Sequence, residues 1–309
     1  MVYLYFSRID KSVILIVVGI PAYNEEKNIA KVILELQKVS DEIIVCNDGS
    51  TDLTGSIAEK MGAVVINHPK NLGYGAGIRS IFIKSMELDP DILVTFDADG
   101  QHRVEDIQTV IDPIMKKEAD LVIGSRFLKD DNNKNVPTYR KVGIKTITSI
   151  TNVSTDMKLT DSQSGFRAYS NKILKDIIPS EQGMGVSTEI LIKASKRGFK
   201  IKEVPITILY EGDTSTHDPV SHGVSVILST MKFISIERPL KFYGIPGISF
   251  LAIGLFFIVW TIQAFTETRQ IITNISLIGI GSIILGTMLT MTSILLYSLV
   301  NVVRERHSG

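Results

Sequence analysis

Short apolar runs alternate with amphipathic stretches over residues 13–125 of the chain. Strands are predicted for the apolar runs that polar or turn-forming residues bound: Val13–Ile20, Glu42–Cys46, Ala63–Asn67, Ile92–Phe96 and Leu121–Ile123. Helices are predicted where apolar residues recur with helical spacing: Lys27–Val39, Leu53–Met61, Gly75–Leu88 and Val104–Lys117. This alternation predicts an α/β fold with a mostly parallel, doubly wound sheet covered by helices.

The C-terminal part has a different pattern, with two long runs that lack charge. These runs are Gly244–Phe265 and Ile271–Val303, and the short polar segment Thr266–Gln270 separates them. Each run exceeds the roughly 20 residues that a helix needs to cross a bilayer. The pattern therefore predicts two transmembrane helices in a tight hairpin, which makes the chain a multi-pass membrane protein. Gly279, Gly281 and Gly286 offer small-residue surfaces through which such hairpins can form a homo-oligomer.

Charged residues at the ends of the two runs predict the orientation of the hairpin. Basic residues lie on both outer flanks, namely Lys232, Arg238, Lys241, Arg304 and Arg306, whereas Arg269 at the tip is balanced by Glu267. Positive flanks mark the cytoplasmic side, so the large domain and the tail are both expected there, on a cell or endomembrane membrane.

The expected domain organisation has three parts. A cytoplasmic domain spans residues 1–221, a juxtamembrane segment spans 222–243, and the hairpin with its short tail spans 244–309. The stretch His222–Leu240 has an apolar side with interspersed charges, which fits an interfacial helix on the membrane or an ordinary helix packed on the domain.

Composition excludes several classes of function. Lys+Arg and Asp+Glu are equal at 33 each, so no basic field draws the chain onto nucleic acid. The single cysteine, Cys46, excludes a disulfide framework and a cysteine-based zinc site. The eight-residue apolar run near the N-terminus is too short to span a membrane and is better explained as a buried strand.

Carboxylates follow the fourth predicted strand in the sequence Phe96-Asp97-Ala98-Asp99-Gly100-Gln101. On an extended chain residues i and i+2 point the same way, so Asp97 and Asp99 are expected to converge. Two close carboxylates repel each other unless a cation lies between them. A hard divalent ion, Mg²⁺ or Mn²⁺, with a diphosphate is the natural partner, and Gln101 adds a further oxygen.

Polar residues also follow the first two predicted strands, in Pro21-Ala22-Tyr23-Asn24-Glu25 and Asn47-Asp48-Gly49-Ser50. Their carboxylates fit hydrogen bonding to a base or ribose, or the capping of the next helix. The glycine-rich segment Asn71–Gly77 fits either phosphate binding by backbone N–H groups or a tight turn. Three arginines downstream are candidates for a second phosphate: Arg126, Arg140 and Arg167.

Taken in order, these segments resemble the polyprenyl-phosphate hexose synthases of glycosyltransferase family 2, typified by dolichyl-phosphate mannose synthase. The matching segments are PAYNE, NDGSTD, NLGYGAG, DADGQH, GSRF, DSQSGFRAY, GVSTEIL with Glu189, and KEVPI. The resemblance runs from Pro21 to about Ser215 and implies a GT-A nucleotide-sugar domain. It also implies a nucleotide sugar and a polyprenyl-phosphate lipid as the binding partners.

The resemblance also implies roles for individual residues. The nucleotide is held by Pro21, Tyr23, Glu25, Asp48, Asp97, Ala98 and Asp99. The metal is held by Asp97, Asp99 and Gln101. Arg126 and Arg140 match arginines near the transferred sugar and the acceptor phosphate, and with Asp99 they form the expected catalytic set. Arg167 is a further candidate for the acceptor phosphate.

Two departures from the family pattern bear on the donor. Asn47 stands where the family often has an acid, while Asp48 is retained. The Arg and Lys that follow the EVPI segment in mannose synthases are absent from Tyr210–His217, which leaves UDP-glucose beside GDP-mannose as the donor.

The expected reaction is a single inverting displacement by a lipid monophosphate, which is largely dianionic at neutral pH and needs little help from a base. A transferase that extends an existing glycolipid and a non-catalytic nucleotide-sugar-binding module remain as alternatives. A processive polysaccharide synthase is disfavoured, because its Gln-x-x-Arg-Trp motif is missing and the sole tryptophan, Trp260, lies in the first apolar run. A flippase is disfavoured because two spans enclose no path unless the protein oligomerises.

Overall fold

The computed structural model describes residues 14–128, 138–155, 157–208, 228, 231, 234–236, 238–270 and 272–308 of the chain. The chain divides into two compact units, Met1–Thr230 and Met231–Gly309. The segment Tyr210–His217 lies outside the described residues, as does most of the juxtamembrane stretch His222–Leu240.

One sheet of seven strands forms the centre of the first unit. The strands are β1 (Ile16–Ala22), β2 (Glu42–Asn47), β3 (Val64–Asn67), β4 (Ile92–Thr95), β5 (Leu121–Ser125), β6 (Arg167–Ser170) and β7 (Ile201–Pro205). Their order is β3-β2-β1-β4-β6-β5-β7. Only β6 runs antiparallel to its neighbours, β4 and β5, while the other described pairs are parallel. The predicted mostly parallel sheet is therefore confirmed.

Helices cover both faces of this sheet. They are α1 (Ile29–Leu36), α2 (Thr54–Lys60), α3 (Tyr74–Leu88), α4 (Asp106–Met115), α5 (Thr138–Thr155), α6 (Asn171–Asp176) and α7 (Val186–Lys196). Buried residues of α1, α2 and α4 form one core with one face of the sheet, and those of α3, α6 and α7 form a second core with the other face. Neighbouring β1 residues divide between the cores, Val18 in the first and Val17 in the second, as the alternation of side chains along a strand requires.

Two details show why the sequence folds this way locally. Helix α1 buries Ile29, Val32, Ile33 and Leu36, which recur at helical spacing and form one apolar stripe. On the opposite face Gly19 of β1 lets Ile81 of α3 pack directly against the strand, where a Cβ atom would overlap the isoleucine side chain. Helix α3 consequently lies close to the sheet, and the residues that precede it lie close to the ends of β1 and β2.

The second unit contains two long apolar helices. After a π-helical turn at Leu240–Gly244, α8 (Ile245–Thr268) and α9 (Thr273–Ser308) form a hairpin whose turn includes Arg269 in the left-handed region (φ 55°). The segments Leu240–Thr268 and Thr273–Val302 have mean hydropathies of 2.2 and 2.0, and each is long enough to cross a bilayer. The two predicted apolar helices are thus present, and they could span a membrane.

Glycines let α8 and α9 approach each other closely. A Cβ atom on Gly254 would lie 2.9 Å from the carbonyl oxygen of Gly279, and one on Gly286 would lie 2.8 Å from the carbonyl oxygen of Gly247. Two of the three glycines proposed for contacts between hairpins, Gly279 and Gly286, therefore pack within the hairpin itself. A Cβ atom on the third, Gly281, would meet no described atom within 4 Å.

Candidate functional site

The carboxyl ends of β1, β2 and β4 lie side by side at one edge of the sheet. The register pairs Ala22 of β1 with Asn47 of β2, and Gly19 of β1 with Thr95 of β4. The antiparallel β6 begins at the same edge, because its first residue, Arg167, pairs with Thr95. Ligands of doubly wound sheets bind beyond the carboxyl ends of the strands. The segments that follow β1, β2 and β4, and the segment that precedes β6, therefore form the candidate site.

The loops that follow β1 and β2 are joined by reciprocal hydrogen bonds. Asn24, which is in the left-handed region (φ 55°), donates its N–H to Ser50 Oγ at 3.0 Å and accepts from the N–H of Thr51 at 2.9 Å. The N–H of Glu25 donates to Thr54 Oγ1 at 2.8 Å. These bonds fix the backbone of Glu25 at the sheet edge, although the predicted nucleoside role of this residue stays a prediction.

Asp48, 5% exposed, is the buried carboxylate of the second loop. It accepts hydrogen bonds from the N–H groups of Leu72 and Gly73 at 2.9 and 2.8 Å and from His68 Nδ1 at 2.6 Å. The other ring nitrogen of His68 lies 2.9 Å from Ser80 Oγ on α3. Asp48 therefore holds the glycine turn before α3, so two of the N–H groups considered for phosphate binding are already paired.

A second segment of the chain explains the glycines of this turn. A Cβ atom on Gly73 would lie 2.7 Å from the carbonyl oxygen of Gln182, and one on Gly75 would overlap the carbonyl oxygen of Glu181. The N–H of Ala76 donates to Gln182 O at 3.2 Å. The glycines thus permit residues 181–183 to cross closely. Of the two interpretations of Asn71–Gly77, this contact favours a tight turn rather than a phosphate-binding loop.

Asp97 is tied to the end of the turn and to the loop that follows β4. Its Oδ1 accepts from the hydroxyl of Tyr74 at 3.3 Å, and its Oδ2 accepts from Nε2 of the buried His102 at 3.1 Å. Burial raises the pKa of Asp97, but the hydrogen bonds and charges of His102, Arg126 and Tyr74 together lower it by more. The pKa is therefore below its ordinary value. Asp97 is therefore ionised at neutral pH.

Gly165 lies directly against this carboxylate. A Cβ atom there would lie 2.8 Å from both carboxylate oxygens of Asp97 and 2.6 Å from the hydroxyl of Tyr74. The neighbouring strand, β4, contributes a further contact, since the hydroxyl of Thr95 donates to Gly165 O at 2.6 Å. The segment before β6 thus forms one wall of the Asp97 environment.

The chain after β4 is bent, whereas its sequence predicts an extended conformation. β4 ends at Thr95, Asp99 lies in a turn, and the N–H of Gln101 donates to Asp99 Oδ1 at 3.0 Å. Strand alternation therefore does not govern the relative positions of Asp97 and Asp99. Both nevertheless act on Glu25, whose pKa is raised by burial and by the negative charges of Asp99, Asp52 and Asp97.

The donor set at this point suits a hard divalent cation. Asp97, Asp99 and Gln101 offer carboxylate and amide oxygens, the ligands that Mg²⁺ and Mn²⁺ accept. Among the described residues no group of three or more His, Cys, Asp and Glu side chains is placed to enclose a metal. Two carboxylates and one amide are a donor set of the kind that Mg²⁺ uses when phosphate oxygens and water complete its coordination.

Arg126, the residue after β5, is held by the buried Asp161. Nε and Nη2 of Arg126 donate to Oδ2 and Oδ1 of Asp161 at 2.6 and 2.8 Å in a bidentate pair. Asp161 is completely buried; burial raises its pKa, but the positive charge and hydrogen bonds of Arg126 lower it below the ordinary value. The Arg126 side chain is 16% exposed, so it reaches solvent from a fixed position.

An open cleft of about 360 Å³ lies next to this ion pair. It is formed by one face of α5 and by the residues that follow Arg126 and precede Asp161. Its lining combines a cation, several hydroxyls and apolar side chains: Phe127, Lys145, Thr148, Ser149, Asn152, Leu159 and Thr160.

The remaining predicted residues are placed as follows. Pro21 lies within β1, Tyr23 follows that strand half-buried, and Ala98 is buried. The side chain of Arg140, at the start of α5, lies outside the described part of the chain. Arg167 is 1% exposed and donates to three carbonyl oxygens, those of Ser162, Ser164 and Ser187. These contacts orient the segment before β6, so Arg167 is not part of the acceptor site proposed below.

Three residues at or near the site have no role that the sequence predicts: Tyr74, Asp161 and Gly165. The sequence favours a surface or packing role for His102, and it does pack against Phe96 and Phe166, but it also contacts Asp97. The DSQSGFRAY segment carries the signal for Asp161 and Gly165. Its arginine stands out in the sequence as a cation, whereas the structure places the acid and the glycine at the site.

Comparison with known families and proteins agrees with this architecture. Residues 17–178 match the profile of the family described as Glycosyl transferase family 2. An uncharacterized protein of Methanocaldococcus jannaschii is 38% identical over 224 residues, which are 72% of this chain and 89% of that protein. The UDP-N-acetylglucosamine–dolichyl-phosphate N-acetylglucosaminyltransferase of Methanococcus voltae is 37% identical over 239 residues, 71% of this chain and 92% of the relative.

A further relative and a solved structure extend the comparison. The dolichyl-phosphate hexose transferase of Haloferax volcanii is 31% identical over 218 residues, 70% of this chain and 92% of that enzyme. Glucosyl-3-phosphoglycerate synthase from Mycobacterium tuberculosis, solved with uridine diphosphate, superposes with a TM-score of 0.59 over 73% of this chain and 82% of that one. At 22% identity this last likeness concerns the fold alone.

Proposed function

The chain belongs to glycosyl transferase family 2, and from this premise we propose that it transfers a hexose or N-acetylhexosamine from a nucleotide sugar to a polyprenyl monophosphate. The observation that carries the proposal is the presence of opposite charges at one sheet edge. Asp97 is ionised on one side, Arg126 is fixed by Asp161 on the other, and the charge of Arg126 helps to lower the pKa of Asp97. A donor diphosphate with its cation and an acceptor phosphate can therefore bind next to each other.

The donor belongs on the side of β1, β2 and β4. Glu25 and Asp48 lie at the ends of the first two strands, where a nucleoside fits, together with Pro21, Tyr23 and Ala98. Among the described residues Asp48 accepts three hydrogen bonds, and a carboxylate has about four lone-pair sites, so it can accept a further bond from a base N–H group. UDP-N-acetylglucosamine, UDP-glucose and GDP-mannose are the donors to compare, the first because of the Methanococcus voltae relative.

Asp97, Asp99 and Gln101 are the proposed ligands of a divalent metal, Mg²⁺ or Mn²⁺. Such an ion, when bound, neutralises the charge that develops on a departing diphosphate. The residues around Asp97 prepare it to bind a cation, because His102 and Tyr74 donate to its oxygens and keep it ionised, and Gly165 leaves space beside it. These contacts orient the carboxylate before any ligand arrives, which is the condition for effective positioning.

The acceptor phosphate belongs on the Arg126 side. Asp161 already accepts from Nε and Nη2 of Arg126, and this pair fixes the position of an arginine side chain that is 16% exposed. The positive charge of Arg126 at the sheet edge can attract a phosphate from that position. Arg140, at the start of α5, is the second proposed phosphate ligand. The neighbouring cleft, with Lys145 among hydroxyls and the apolar Phe127 and Leu159, suits the phosphate end of an isoprenoid lipid. A dianionic phosphate attacks without a base, so this side needs only to orient it.

The apolar hairpin would hold the enzyme at the membrane where its acceptor resides. Basic residues on both outer flanks, including Lys241 and Arg304, favour a cytoplasmic location for residues 1–221 and for the tail. The stretch 222–243 is proposed as the juxtamembrane connection. The names of two relatives include dolichyl phosphate. A lipid phosphate at the level of the membrane headgroups is therefore the proposed acceptor.

The test is transfer of labelled sugar to lipid. The detergent-purified full chain is incubated with a polyprenyl monophosphate and each of the three donors, with Mg²⁺, Mn²⁺ or a chelator, and the organic extract is counted. We expect chelator-sensitive lipid-linked label from one donor. Asp99→Asn should abolish it, whereas the matched control Asp112→Asn should leave it unchanged, because Asp112 is a partly exposed α4 residue whose partner is Lys116.

Two results would contradict the proposal. Label that appears only when an already glycosylated lipid is supplied would assign the chain to glycolipid extension. Nucleotide binding without transfer to any lipid would make it a binding module.

A further inference from the structure

Helix α7 begins with a buried acid that lies outside the proposed donor and acceptor sites. Glu189 is 0% exposed, and its two oxygens accept from the N–H groups of Ser180 and Glu181 at 2.8 Å each and from the hydroxyl of Ser180. Lys193, one turn further along α7, pairs with the same carboxylate at 2.6 Å and also donates to Ile178 O at 2.9 Å. A buried carboxylate with this many donors is held in a fixed position, and its partners define the course of residues 178–181.

The segment that Glu189 holds is the one that crosses the glycine turn. Residues 181–183 contact Gly73 and Gly75, and Gln182 O accepts from the N–H of Ala76. The glycine turn also contacts two carboxylates of the site. Its Leu72 and Gly73 N–H groups donate to Asp48. The hydroxyl of Tyr74 binds Asp97. One short turn therefore links the proposed nucleoside and metal carboxylates.

The first turn of α7 is also linked to Asp97 through a second set of contacts. Ser187 O accepts from Arg167 Nη1 at 2.9 Å, and Thr188 Oγ1 accepts from Gln163 Nε2 at 3.1 Å. Both partners belong to the segment that contains Gly165, which lies against Asp97. The start of α7 consequently supports both walls of the Asp97 environment from a distance, through the glycine turn on one side and the segment before β6 on the other.

We propose that Glu189 is a positioning residue of the donor side, which acts through residues 180–183 and the Leu72–Tyr74 turn to set the places of Asp48 and Asp97. This inference rests on the proposed function for the identity of the donor. Glu189 is not a general base, because its oxygens are buried and occupied by the backbone and by Lys193. Loss of the Glu189 contacts should therefore weaken binding of the nucleotide and its metal, and should leave acceptor binding intact.

A matched control exists on the acceptor side. Glu203 of β7 holds a segment in the same manner, accepting from the N–H groups of Thr160 and Asp161 at 2.8 Å each. That segment carries the Asp161–Arg126 pair. Replacing Glu203 therefore removes an equivalent carboxylate, but from the proposed acceptor side of the site.

The experiment compares Glu189→Ala, Glu189→Gln and Glu203→Ala in the full chain. Calorimetry measures the Kd of UDP and GDP with and without Mn²⁺, and the transfer assay gives separate KM values for donor and acceptor. Glu189→Ala should raise the nucleotide Kd and the donor KM on the order of 10- to 100-fold, the scale at which loss of the residues that support metal ligands weakens metal binding or activity. Glu189→Gln keeps one accepting oxygen and should recover much of the loss. Glu203→Ala should raise the acceptor KM instead.

Gly75→Ala provides a second approach that leaves Glu189 in place. Its added methyl group would meet the carbonyl oxygens of Glu181 and Gly183, so it should reproduce the rise in nucleotide Kd from the opposite side of the contact. This variant decides the matter if Glu189→Ala fails to fold.

Several outcomes would overturn the inference. An unchanged nucleotide Kd in folded Glu189→Ala or Gly75→Ala would show that the segment does not position the donor side. A Glu189→Gln variant with normal donor KM, abolished kcat and a lost acidic limb in its pH profile would identify a general base. Nucleotide binding by the unaltered chain without transfer would contradict only the proposed function, whereas no nucleotide binding at all would contradict both.

Discussion

At the residue scale, the environment of Asp97 depends on the absence of one methyl group at Gly165. A Cβ atom there would lie 2.8 Å from both oxygens of Asp97 and 2.6 Å from the Tyr74 hydroxyl, closer than real Cβ contacts. Gly165→Ala should therefore displace the carboxylate and lower kcat/KM for the donor by about 10- to 100-fold, with little change in the acceptor KM. Steady-state kinetics with each substrate varied in turn measures this effect.

Gly198→Ala is not a suitable control, because that glycine has a positive φ of 72°. Gly143→Ala is suitable, since a Cβ atom there meets nothing within 4 Å. Equal kinetic effects of Gly165→Ala and Gly143→Ala would contradict the role given to Gly165.

Also at the residue scale, the sequence located some site residues better than others. Asp48 and Asp97 follow apolar strands, so their position at the sheet edge could be predicted from pattern alone. Tyr74 and Gly165 could not be found in this way, because their contacts with Asp97 join segments far apart in the chain. Arg167 stands out in the sequence as a cation, but burial turns its donors toward backbone carbonyls.

At the scale of elements, the direction of β6 determines which residues lie on the proposed acceptor side of the site. The alternation of apolar and helical patterns covers residues 13–125 and predicts a mostly parallel sheet, but it locates no strand after residue 125. In the structure β6 is a four-residue antiparallel strand between β4 and β5. A strand so short has little periodicity of its own. Its reversed direction brings the preceding segment, with Asp161, to the carboxyl edge beside Arg126.

The ion pair between the β5 loop and the β6 segment should stabilise the fold in a pH-dependent way. The pKa of Asp161 is lower in the folded chain than its ordinary value, which is about 3.9 in model peptides. A depressed carboxyl pKa contributes stability above the unfolded-state pKa, and this stability is lost as the pH falls through the folded-state pKa. Asp161→Asn should therefore lower the Tm at pH 7, and the difference from the unaltered chain should shrink below about pH 4.

Thermal unfolding of the full chain in detergent between pH 3.5 and 7 measures this difference. The loss at pH 7 should be up to about 3 kcal/mol, below the range for a fully buried pair because Arg126 is partly exposed. Asp112→Asn is the control for a surface pair and should have little effect. A constant difference across the pH range would show that the charge of Asp161 is not responsible.

The hairpin of the second unit depends on its glycines in a similar way. Gly254→Leu would force a side chain into Ile283 and the Gly279 carbonyl, and should destabilise the α8–α9 contact by about 1–3 kcal/mol. Gly281→Leu meets open space and should be neutral as long as the hairpin is monomeric. Thermal unfolding in detergent compares the two. A loss confined to Gly281→Leu would instead indicate that this glycine packs against another copy of the chain.

At the scale of the whole molecule, the main divisions were predictable because they depend on long patterns. All five predicted strands and all four predicted helices of the sheet unit lie within a few residues of their predicted bounds, as do the two apolar helices. Such elements can be recognised in a sequence because a buried parallel strand is apolar on both faces and a membrane helix is apolar all round. The crossing of residues 181–183 over the glycine turn had no such signature, because it depends on the packing of α7 against a distant part of the chain.

The orientation of the hairpin is the prediction that belongs to the whole molecule. Thr268→Cys places a thiol at the hairpin tip and Ser308→Cys places one in the tail, and each is expressed in intact cells that are treated with a membrane-impermeant maleimide. The native Cys46 provides the background, because it is fully buried and burial, with the charge of Asp48, raises the pKa of its thiol to about 12. A cytoplasmic catalytic domain requires that the tip cysteine reacts from outside and the tail cysteine only after the membrane is opened. The reverse pattern would place Asp97 and Arg126 on the side opposite to that expected for a nucleotide-sugar donor, and equal access to both would mean that the hairpin lies on the membrane without crossing it.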